Sequence, residues 1–403
     1  MATPSSVDGF SRYFAKAFNE NEIIGVTTAF LALFSRRKPV IRIDANVLDI
    51  DIIRGNEKTA AFIPRGTVGE YLKEKNVVNG KYTNFSRQFP LSEEEYDISV
   101  PQSESRMADE SPYSGRTRRE RTRDMAIEAY HEMVRRTVRL WERTAATSAL
   151  TAKQPVILGA TDTDLILDYK RDSTLISTYS SGEQYTTAGV DPIADLDARI
   201  DLLVKKGKVG GQSGGNYVAI MGNDVINGFF GNDKVIAAGE NRRILSITKD
   251  PQLVAPKGVA DLIAGGMNYI AQVSTNMGRT VHIMVYDAYY DTESVANNPY
   301  MPIKSMLLMP MTFRADRYFG PGDTLPMTSL DNTYLRETFG ITPSTQIPMS
   351  NIKSAAGVIV PQAFYVDAYP GAARKNAVLR LQSAPVFATT QTDALFTGND
   401  VVA

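Results

Sequence analysis

Residues 116–153 read RTRRERTRDMAIEAYHEMVRRTVRLWERTAATSALTAK and contain neither glycine nor proline. Because those two residues disfavour helix interiors most strongly, the run predicts one helix over 116–150, roughly 50 Å long at a rise of about 1.5 Å per residue. The apolar residues on this segment are three or four positions apart: Ile127, Tyr130, Val134, Val138, Trp141, Ala145 and Ala149. This spacing defines one apolar stripe, which predicts that the helix packs on a sheet and exposes its opposite face to water.

The charged residues of the same helix are mostly arginines. From Arg116 to Arg143 there are nine arginines, five acidic residues and no lysine, which gives a net charge of +4. Four of the arginines lie outside the apolar stripe and form a predicted basic face: Arg135, Arg136, Arg139 and Arg143. Such a face is commonly just solvated and supported by i,i+4 pairs. The preference for arginine favours contact with phosphates or with a partner's carboxylates, which arginine binds through paired hydrogen bonds.

The segment before this helix is a polar arm that cannot form a buried core of its own. It covers residues 60–100, and Asn79-Gly80 near its middle predicts a type I′ hairpin turn, because both central residues of that turn need a positive φ. Two strands of about twenty residues would reach on the order of 60 Å. Since an isolated two-stranded ribbon is marginally stable in water, we expect a neighbouring subunit to order this hairpin.

The remaining segments alternate between helical and extended patterns. An apolar run at 23–34 predicts a helix that packs on protein, because it is too short to span a bilayer. Asp191-Pro192 predicts the start of a helix within a mixed α/β segment at 190–345. Strands are predicted over 40–53, 156–179, 217–221, 281–286, 305–309 and 355–387.

Composition limits the classes of function. The chain has 403 residues, a formal net charge of -1, and 43% hydrophobic and 22% charged residues, which is ordinary for a globular protein of more than one domain. A net charge near zero argues against binding nucleic acid with the whole surface but allows a local basic face. The absence of cysteine excludes disulfides, thiolate catalysis and cysteine metal sites.

Candidate catalytic, metal and cofactor motifs are weak. His131 and His282 lie on different predicted elements without metal-ligand spacing, so partly exposed structural histidines are expected. The glycine-rich loop at 207–215 follows a helix and lacks the Gly-Lys-Ser/Thr ending of a phosphate loop. Three aspartates alternate on one predicted strand without the glycine and distal glutamate of a calcium loop: Asp162, Asp164 and Asp168. We therefore expect no catalytic residue, cofactor or metal.

The order of these parts resembles the major capsid proteins of tailed phages, in particular the lambda-type (gpE-like) group with the Hong Kong 97-type fold. The resemblance covers nearly the whole chain and is supported by the order in which the motifs occur. These motifs are Phe30-Leu31-Ala32-Leu33-Phe34, the arginine-rich 116–123, Asp191-Pro192, the strand 280–286 followed by 299–309, and Gln382-Ser383-Ala384-Pro385.

The resemblance implies an α+β fold with five parts. They are an N-terminal arm (1–58), an extended E-loop hairpin (59–103), a first P-domain part with the spine helix 116–150 (104–189), an A-domain (190–345), and P-domain return strands (346–403). It also implies that part of the E-loop makes inter-subunit contacts, at Lys73, Lys75, Asn79, Gly80 and Lys81. The inner basic face of the spine helix, Arg135, Arg136, Arg139 and Arg143, would then meet packaged DNA.

The function implied by the resemblance is that of a non-enzymatic structural protein. It would self-assemble into hexamers and pentamers that form the icosahedral head around double-stranded DNA. Its partners would be itself, a separate scaffolding protein, a portal, a decoration protein at three-fold positions, and DNA bound without sequence preference, with no membrane. It would assemble in the bacterial host cytoplasm and reside in the virion capsid.

Three questions stay open at this point. Some members of the wider fold join subunits through a Lys–Asn bond, and no partner asparagine is identifiable here. An encapsulin-like nanocompartment shell protein would share the fold and need no DNA contact. An enzyme built on the 190–345 segment would need a convergent set of polar residues, which the sequence does not reveal.

Overall fold

A computed structural model shows a mixed α/β chain. It describes residues 26–34, 41–42, 50–53, 77–80, 92–99, 118–158, 162–207, 215–240, 245–246, 257–291, 296–313, 315–320, 347–348, 352–353, 359–360, 365–370 and 376–403. The α-helices within these ranges are α1 (Ala29–Leu33), α2 (Arg118–Thr151), α3 (Pro192–Gly207), α4 (Asn223–Phe230), α5 (Asp233–Glu240) and α6 (Lys257–Ala264).

The described strands fall along the whole chain. In the first half they are β1 (Ile41–Arg42), β2 (Ile50–Ile53), β3 (Val77–Gly80), β4 (Ser92–Ser99), β5 (Lys153–Leu158), β6 (Asp162–Asp168) and β7 (Ile176–Thr178). The next are β8 (Asn216–Met221), β9 (Leu245–Ser246), β10 (Asn268–Ser274), β11 (Thr280–Val285), β12 (Tyr289–Tyr290), β13 (Asn298–Pro299), β14 (Met306–Pro310) and β15 (Asp316–Phe319). The last are β16 (Ile347–Pro348), β17 (Ile352–Lys353), β18 (Ile359–Val360), β19 (Tyr365–Pro370), β20 (Asn376–Ser383), β21 (Pro385–Ala388) and β22 (Phe396–Asn399).

A seven-stranded sheet forms the centre of the molecule, in the order β7-β22-β14-β8-β11-β10-β9. Strand β8 pairs in parallel with β11 and antiparallel with β14. These three are the strands predicted at 217–221, 281–286 and 305–309, and their side chains are almost all buried, as short apolar runs in a sheet covered on both faces should be. Two strands, β7 and β22, come from outside 190–345, so the sheet takes in the C-terminal segment.

Two smaller sheets combine distant parts of the chain. A four-stranded sheet has the order β16-β19-β20-β4, and β4 pairs with β20 along its whole length, from Ser92 opposite Ser383 to Ser99 opposite Asn376. A three-stranded sheet has the order β1-β15-β21. The extended segment before the long helix is thereby joined to strands almost three hundred residues later in the chain.

The long helix agrees with the sequence prediction. Predicted over 116–150, it is α2 (Arg118–Thr151), and it packs against β4, β5, β20, β21 and α1. Every member of the predicted stripe whose side chain is described is at most 3% exposed: Tyr130, Val134, Val138, Trp141, Ala145 and Ala149. The stripe belongs to one continuous core cluster that also contains the central sheet.

The predicted turn at Asn79-Gly80 is wrong. Both residues lie in β3, where Asn79 is opposite Asp51 and Gly80 is opposite Ile50. The register also sets Val77 and Val78 against two isoleucines of β2, and β-branched residues favour such paired, pleated positions. The turn prediction used only the local dipeptide signal, whereas the pairing partner lies more than twenty residues earlier.

The structure corrects two predictions for the N-terminal segment. The single strand expected over 40–53 is two strands in different sheets, β1 beside β15 and β2 beside β3. The helix expected over 23–34 is limited among the described residues to α1 (Ala29–Leu33). The Thr28 N–H donates to the Gly265 carbonyl at 2.8 Å, so the chain at Thr28 is bound to the α6 end rather than continued as helix.

The predicted start of α3 at Asp191-Pro192 is confirmed. The Asp191 carboxylate accepts hydrogen bonds from the N–H groups of Ile193 at 3.0 Å and Ala194 at 3.2 Å. Pro192 occupies the first helical position, where its missing N–H costs nothing. This is an N-cap, which satisfies donors that the helix itself cannot.

We predict that Asp191→Ala lowers the free energy of unfolding by about 1 kcal/mol, because two backbone donors lose their acceptor. Urea denaturation of the purified protein measures this. Asp191→Asn keeps an acceptor oxygen and should remain within a few tenths of a kcal/mol of the parent. Equal losses in the two variants would contradict the capping role.

Candidate functional site

The predicted basic face of α2 is exposed. Arg135, Arg136 and Arg139 are exposed, and Arg143 is partly buried. Glu132 lies between them, with its carboxylate 3.7 Å from Arg135 and 3.8 Å from Arg139. Exposed ion pairs of this length contribute at most about 1 kcal/mol, so losing the contacts of Glu132 with Arg135 and Arg139 costs little. The arginines at 116–123 have no described side chains.

Arg143 differs from the other three because it packs on an aromatic cluster. Its guanidinium lies over the Tyr290 ring, 5.1 Å from the centroid, which is cation–π geometry. Tyr290 is 4.9 Å from Tyr300, and Tyr300 stacks on Tyr286 at 5.8 Å. The basic face is thus connected through two tyrosines, Tyr290 and Tyr300, to Tyr286, which directly follows β11 of the central sheet.

Glu142 is the main feature of the helix that the sequence did not predict. In the sequence it was counted only as one of the five acidic residues between Arg116 and Arg143, and in the structure its side chain is completely buried. Its carboxylate accepts hydrogen bonds from the N–H groups of Phe30 at 2.7 Å and Leu31 at 2.9 Å. The Tyr286 hydroxyl lies 2.9 Å from the same carboxylate. One side chain of α2 therefore binds both the start of α1 and the end of β11.

Burial raises the pKa of Glu142 to about 7, and the hydrogen bonds from Phe30, Leu31 and Tyr286 oppose that rise. The desolvation of the charged form outweighs these bonds because, among the described residues, no cation pairs with Glu142. Burial also raises the pKa of Tyr286, and the negative charge of Glu142 adds to the effect.

The C-terminal end of α2 is held by Arg171. Its guanidinium donates to the carbonyls of Ala149 at 2.5 Å and Leu150 at 2.9 Å, and to the Thr397 hydroxyl oxygen at 2.9 Å. The Thr397 hydroxyl donates to the Leu150 carbonyl at 2.6 Å. The last carbonyls of a helix lack partners within it and carry partial negative charge, so a cation there is favourable. Burial lowers the pKa of Arg171 to about 9, which leaves it charged at neutral pH.

A second cluster joins α3 to β22 and the loop before α3. The Asp195 carboxylate accepts hydrogen bonds from the hydroxyls of Tyr179 at 2.6 Å and Tyr185 at 2.9 Å, and from Arg199 Nε at 3.0 Å. The Arg199 guanidinium also lies over the Tyr179 and Phe396 rings, at 4.9 Å and 5.2 Å. This cluster was not predicted from the sequence, although Asp195 and Arg199 have i,i+4 spacing on a predicted helix.

The predicted E-loop contact residues are only partly described. Asn79 and Gly80 lie in β3, while Lys73, Lys75 and Lys81 lie outside the described residues. Their assignment to inter-subunit contacts therefore stays a prediction.

The two histidines are not brought together. His131 is half-buried on α2, whereas His282 is buried in β11, with Nδ1 3.2 Å from the Tyr269 hydroxyl. His282 was expected to be partly exposed, and this is wrong because β11 is a central strand. Burial lowers the pKa of both imidazoles, and for His131 the charge of Arg135 adds to the lowering.

The described residues contain no group of three His, Asp or Glu side chains placed to hold a metal ion. A pocket of about 590 Å³ lies among α4, α5, the 185–189 loop and residues 402–403. Its charged lining side chains are Asp224, Asp233 and Lys234, with no histidine. Within the described ranges, no helix is both long enough and apolar enough to span a membrane.

Comparison with known proteins finds similarity in structure alone. No family model matches the sequence, and no curated protein matches it. A crystal structure of a protein assigned to the capsid of a prophage of Escherichia coli CFT073 matches with a TM-score of 0.59 and 13% identity, over 99% of both chains. A phage-related protein from Bordetella bronchiseptica RB50 matches with a TM-score of 0.45 and 12% identity, over 97% of both chains.

A shell protein of another kind also has structural similarity. The encapsulin SrpI from Synechococcus elongatus matches with a TM-score of 0.41 and 8% identity, over 94% of this chain and 90% of that one. Of these three proteins, the Escherichia coli prophage protein combines matched length with a TM-score above 0.5. That similarity extends from end to end and includes the α+β organisation described above. The chain therefore has the fold of a phage capsid protein.

Proposed function

We propose that the protein is the major capsid protein of a tailed double-stranded DNA phage, a subunit that self-assembles into the hexamers and pentamers of an icosahedral head. The observation that supports this most is the structural match to a prophage capsid protein over 99% of both chains. A match confined to one domain would be compatible with many functions, because folds are reused. An end-to-end match instead includes the extended strands and the long helix that a single compact domain does not need.

Within this proposal the fold is of the Hong Kong 97 type and the subgroup is lambda-like. Helix α2 is the spine helix, residues 59–103 are the E-loop, and residues 190–345 are the A-domain. The order of sequence motifs supports the assignment. The partners are other copies of the chain, a separate scaffolding protein, a portal and a decoration protein at three-fold positions. Assembly takes place in the host cytoplasm, and the protein is not an enzyme.

The exposed arginines of α2 form the DNA-facing surface in this proposal. Arg135, Arg136 and Arg139 are exposed on one face, and Glu132 makes long, exposed contacts with Arg135 and Arg139. Contact with phosphates needs no base-specific geometry and releases counterions, which is sufficient for a head that must enclose any sequence.

Sedimentation velocity of the full-length protein tests the proposal. Subunits of 44.3 kDa should sediment in part as particles of megadalton size or as capsomer rings. If the particles retain nucleic acid after nuclease treatment, the phage head is supported over an encapsulin-like shell. A single species of monomer mass at all concentrations and salts, also when the neighbouring genes are co-expressed, would contradict the proposal.

We predict that charge reversal of the E-loop lysines, Lys73→Glu, Lys75→Glu and Lys81→Glu together, reduces the assembled fraction and leaves subunit stability almost unchanged. Exposed charge changes shift stability by about 0.5 kcal/mol or less each, whereas like charges across an interface cost several kcal/mol. Sedimentation measures assembly and thermal denaturation measures stability. Normal assembly of the triple variant would show that these lysines do not make inter-subunit contacts.

A further inference from the structure

The contacts of Glu142 join three separate parts of the chain. Segment 26–34 supplies the amides of Phe30 and Leu31, α2 supplies the carboxylate, and the end of β11 supplies Tyr286. The Tyr286 hydroxyl also lies 2.9 Å from the Thr27 hydroxyl oxygen. Phe30 packs edge-on against the Tyr286 ring at 5.5 Å, so apolar contact encloses the polar group. The Glu142 junction therefore fastens segment 26–34 both to α2 and to the central sheet.

The three oxygens of this junction, on Thr27, Tyr286 and Glu142, can hold a proton in two ways. When the carboxyl is ionised, the Tyr286 hydroxyl donates to Glu142 and the Thr27 hydroxyl donates to Tyr286. When it is protonated, the Glu142 hydroxyl donates to Tyr286, and Tyr286 donates to Thr27. A hydroxyl has one proton and two acceptor lone pairs, so both arrangements use the same oxygen positions.

We propose that Glu142, Tyr286 and Thr27 form a proton-controlled latch that holds segment 26–34 closed when Glu142 is protonated and loosens it when Glu142 is ionised. The ionised closed state buries a carboxylate that has no cationic partner among the described residues, whereas opening lets water solvate the charge. The latch is a property of this chain and does not depend on the proposed function.

The elements packed around the Glu142 junction differ in the charged and titratable groups that they contribute. Segment 26–34 contains no titratable side chain. The other elements contribute Arg139 and Arg143 from α2, Tyr286 after β11, Tyr290 from β12, Tyr300 after β13, and the exposed Asp261 from α6. Burial raises the pKa of Tyr286 and Tyr300, so these tyrosines stay neutral across the physiological range. Glu142 is therefore the group of this set that changes charge near neutral pH.

The direction of the pH effect follows from the raised pKa. In the closed state the pKa of Glu142 is raised to about 7 from an ordinary value of 4.5, so the closed state binds the proton more tightly than the open state. Closure is therefore strongest below about pH 4.5 and weakens as the pH rises to about 7. The open fraction should grow by up to about tenfold per pH unit in this window and level off above it.

Hydrogen–deuterium exchange of the amides in 26–34, measured on the full-length protein between pH 5 and pH 8 and corrected for intrinsic exchange chemistry, tests the latch. The parent should lose protection up to about pH 7 and then reach a plateau. Glu142→Gln mimics the neutral form and leaves one backbone amide without its acceptor. In this variant the protection of the amides in 26–34 should therefore be lower than in the parent and independent of pH. Glu128→Gln changes an exposed acid on the same helix and should keep the parental pH dependence.

A second variant keeps the test decisive if Glu142→Gln does not fold. Thr27→Val preserves shape but removes the acceptor at the end of the hydroxyl chain, which the protonated arrangement needs more than the ionised one. Thr27→Val should therefore lower the pKa of Glu142 in the closed state, so its loss of protection should reach the plateau at a lower pH than in the parent. Constant protection in the parent, an unchanged profile in Thr27→Val, or pH dependence that survives in Glu142→Gln would each overturn the proposal.

Discussion

Replacing Trp141 with alanine is expected to lower the free energy of unfolding by about 3–5 kcal/mol. Trp141 is the largest member of the buried stripe on α2, is 2% exposed, and lies 5.0 Å from the Phe319 ring of β15. Its removal leaves a cavity where the long helix meets the three-stranded sheet. Urea denaturation of the unassembled chain measures the loss.

Arg139→Ala is the matched control for this experiment. Arg139 lies two positions earlier on the same helix, with its side chain 47% exposed and 3.8 Å from Glu132. It should change stability by no more than about 1 kcal/mol. A loss of less than about 1 kcal/mol in Trp141→Ala would mean that the stripe does not fasten α2 to the fold.

Charge reversal of the basic face is expected to have the largest effect on binding. In the variant Arg135→Glu, Arg136→Glu and Arg139→Glu, the affinity for duplex DNA of random sequence should fall by about a hundredfold or more at low salt. If each arginine contacts one phosphate, the slope of log K against log salt should become shallower by about 2.7, at about 0.9 per contact. Fluorescence anisotropy over a salt series gives both quantities.

A control of equal charge change is available on other exposed surfaces. Lys205 and Lys206 lie in the last turn of α3, and Lys234 lies in α5. Changing these three lysines to glutamate alters the net charge by the same amount as the arginine variant. If the two triple variants lose the same affinity, the effect is one of overall charge and α2 is not the DNA-facing surface.

The structural features that depend on local sequence patterns were predicted correctly. The stripe on α2 requires only that apolar residues recur every three or four positions, and its described members are all buried. The start of α3 depends on Asp191 and the next three residues, and it too was predicted correctly. Fully apolar short runs similarly identified the central strands β8, β11 and β14.

The structural features that depend on partners far away in the sequence were not predicted. Glu142 is 112 positions from Phe30 and 144 from Tyr286, so nothing near it in sequence indicates that it is buried. Likewise, Asn79-Gly80 has a strong local turn signal, yet it is in a strand because residues 50–53 pair with it. The exposed arginines were predicted, since exposure follows from lying opposite the stripe, but their contact with DNA stays a proposal.

Electron microscopy of the protein, expressed alone and together with the genes that neighbour its own, tests the central proposal most directly. If the chain is a capsid subunit, closed shells, tubes or capsomer rings should be visible in at least one of the two preparations. Their walls should be built from units of 44.3 kDa. A monodisperse small monomer in both preparations would contradict the proposal and would direct attention to the pocket beside α4 and α5 as the site of a different activity.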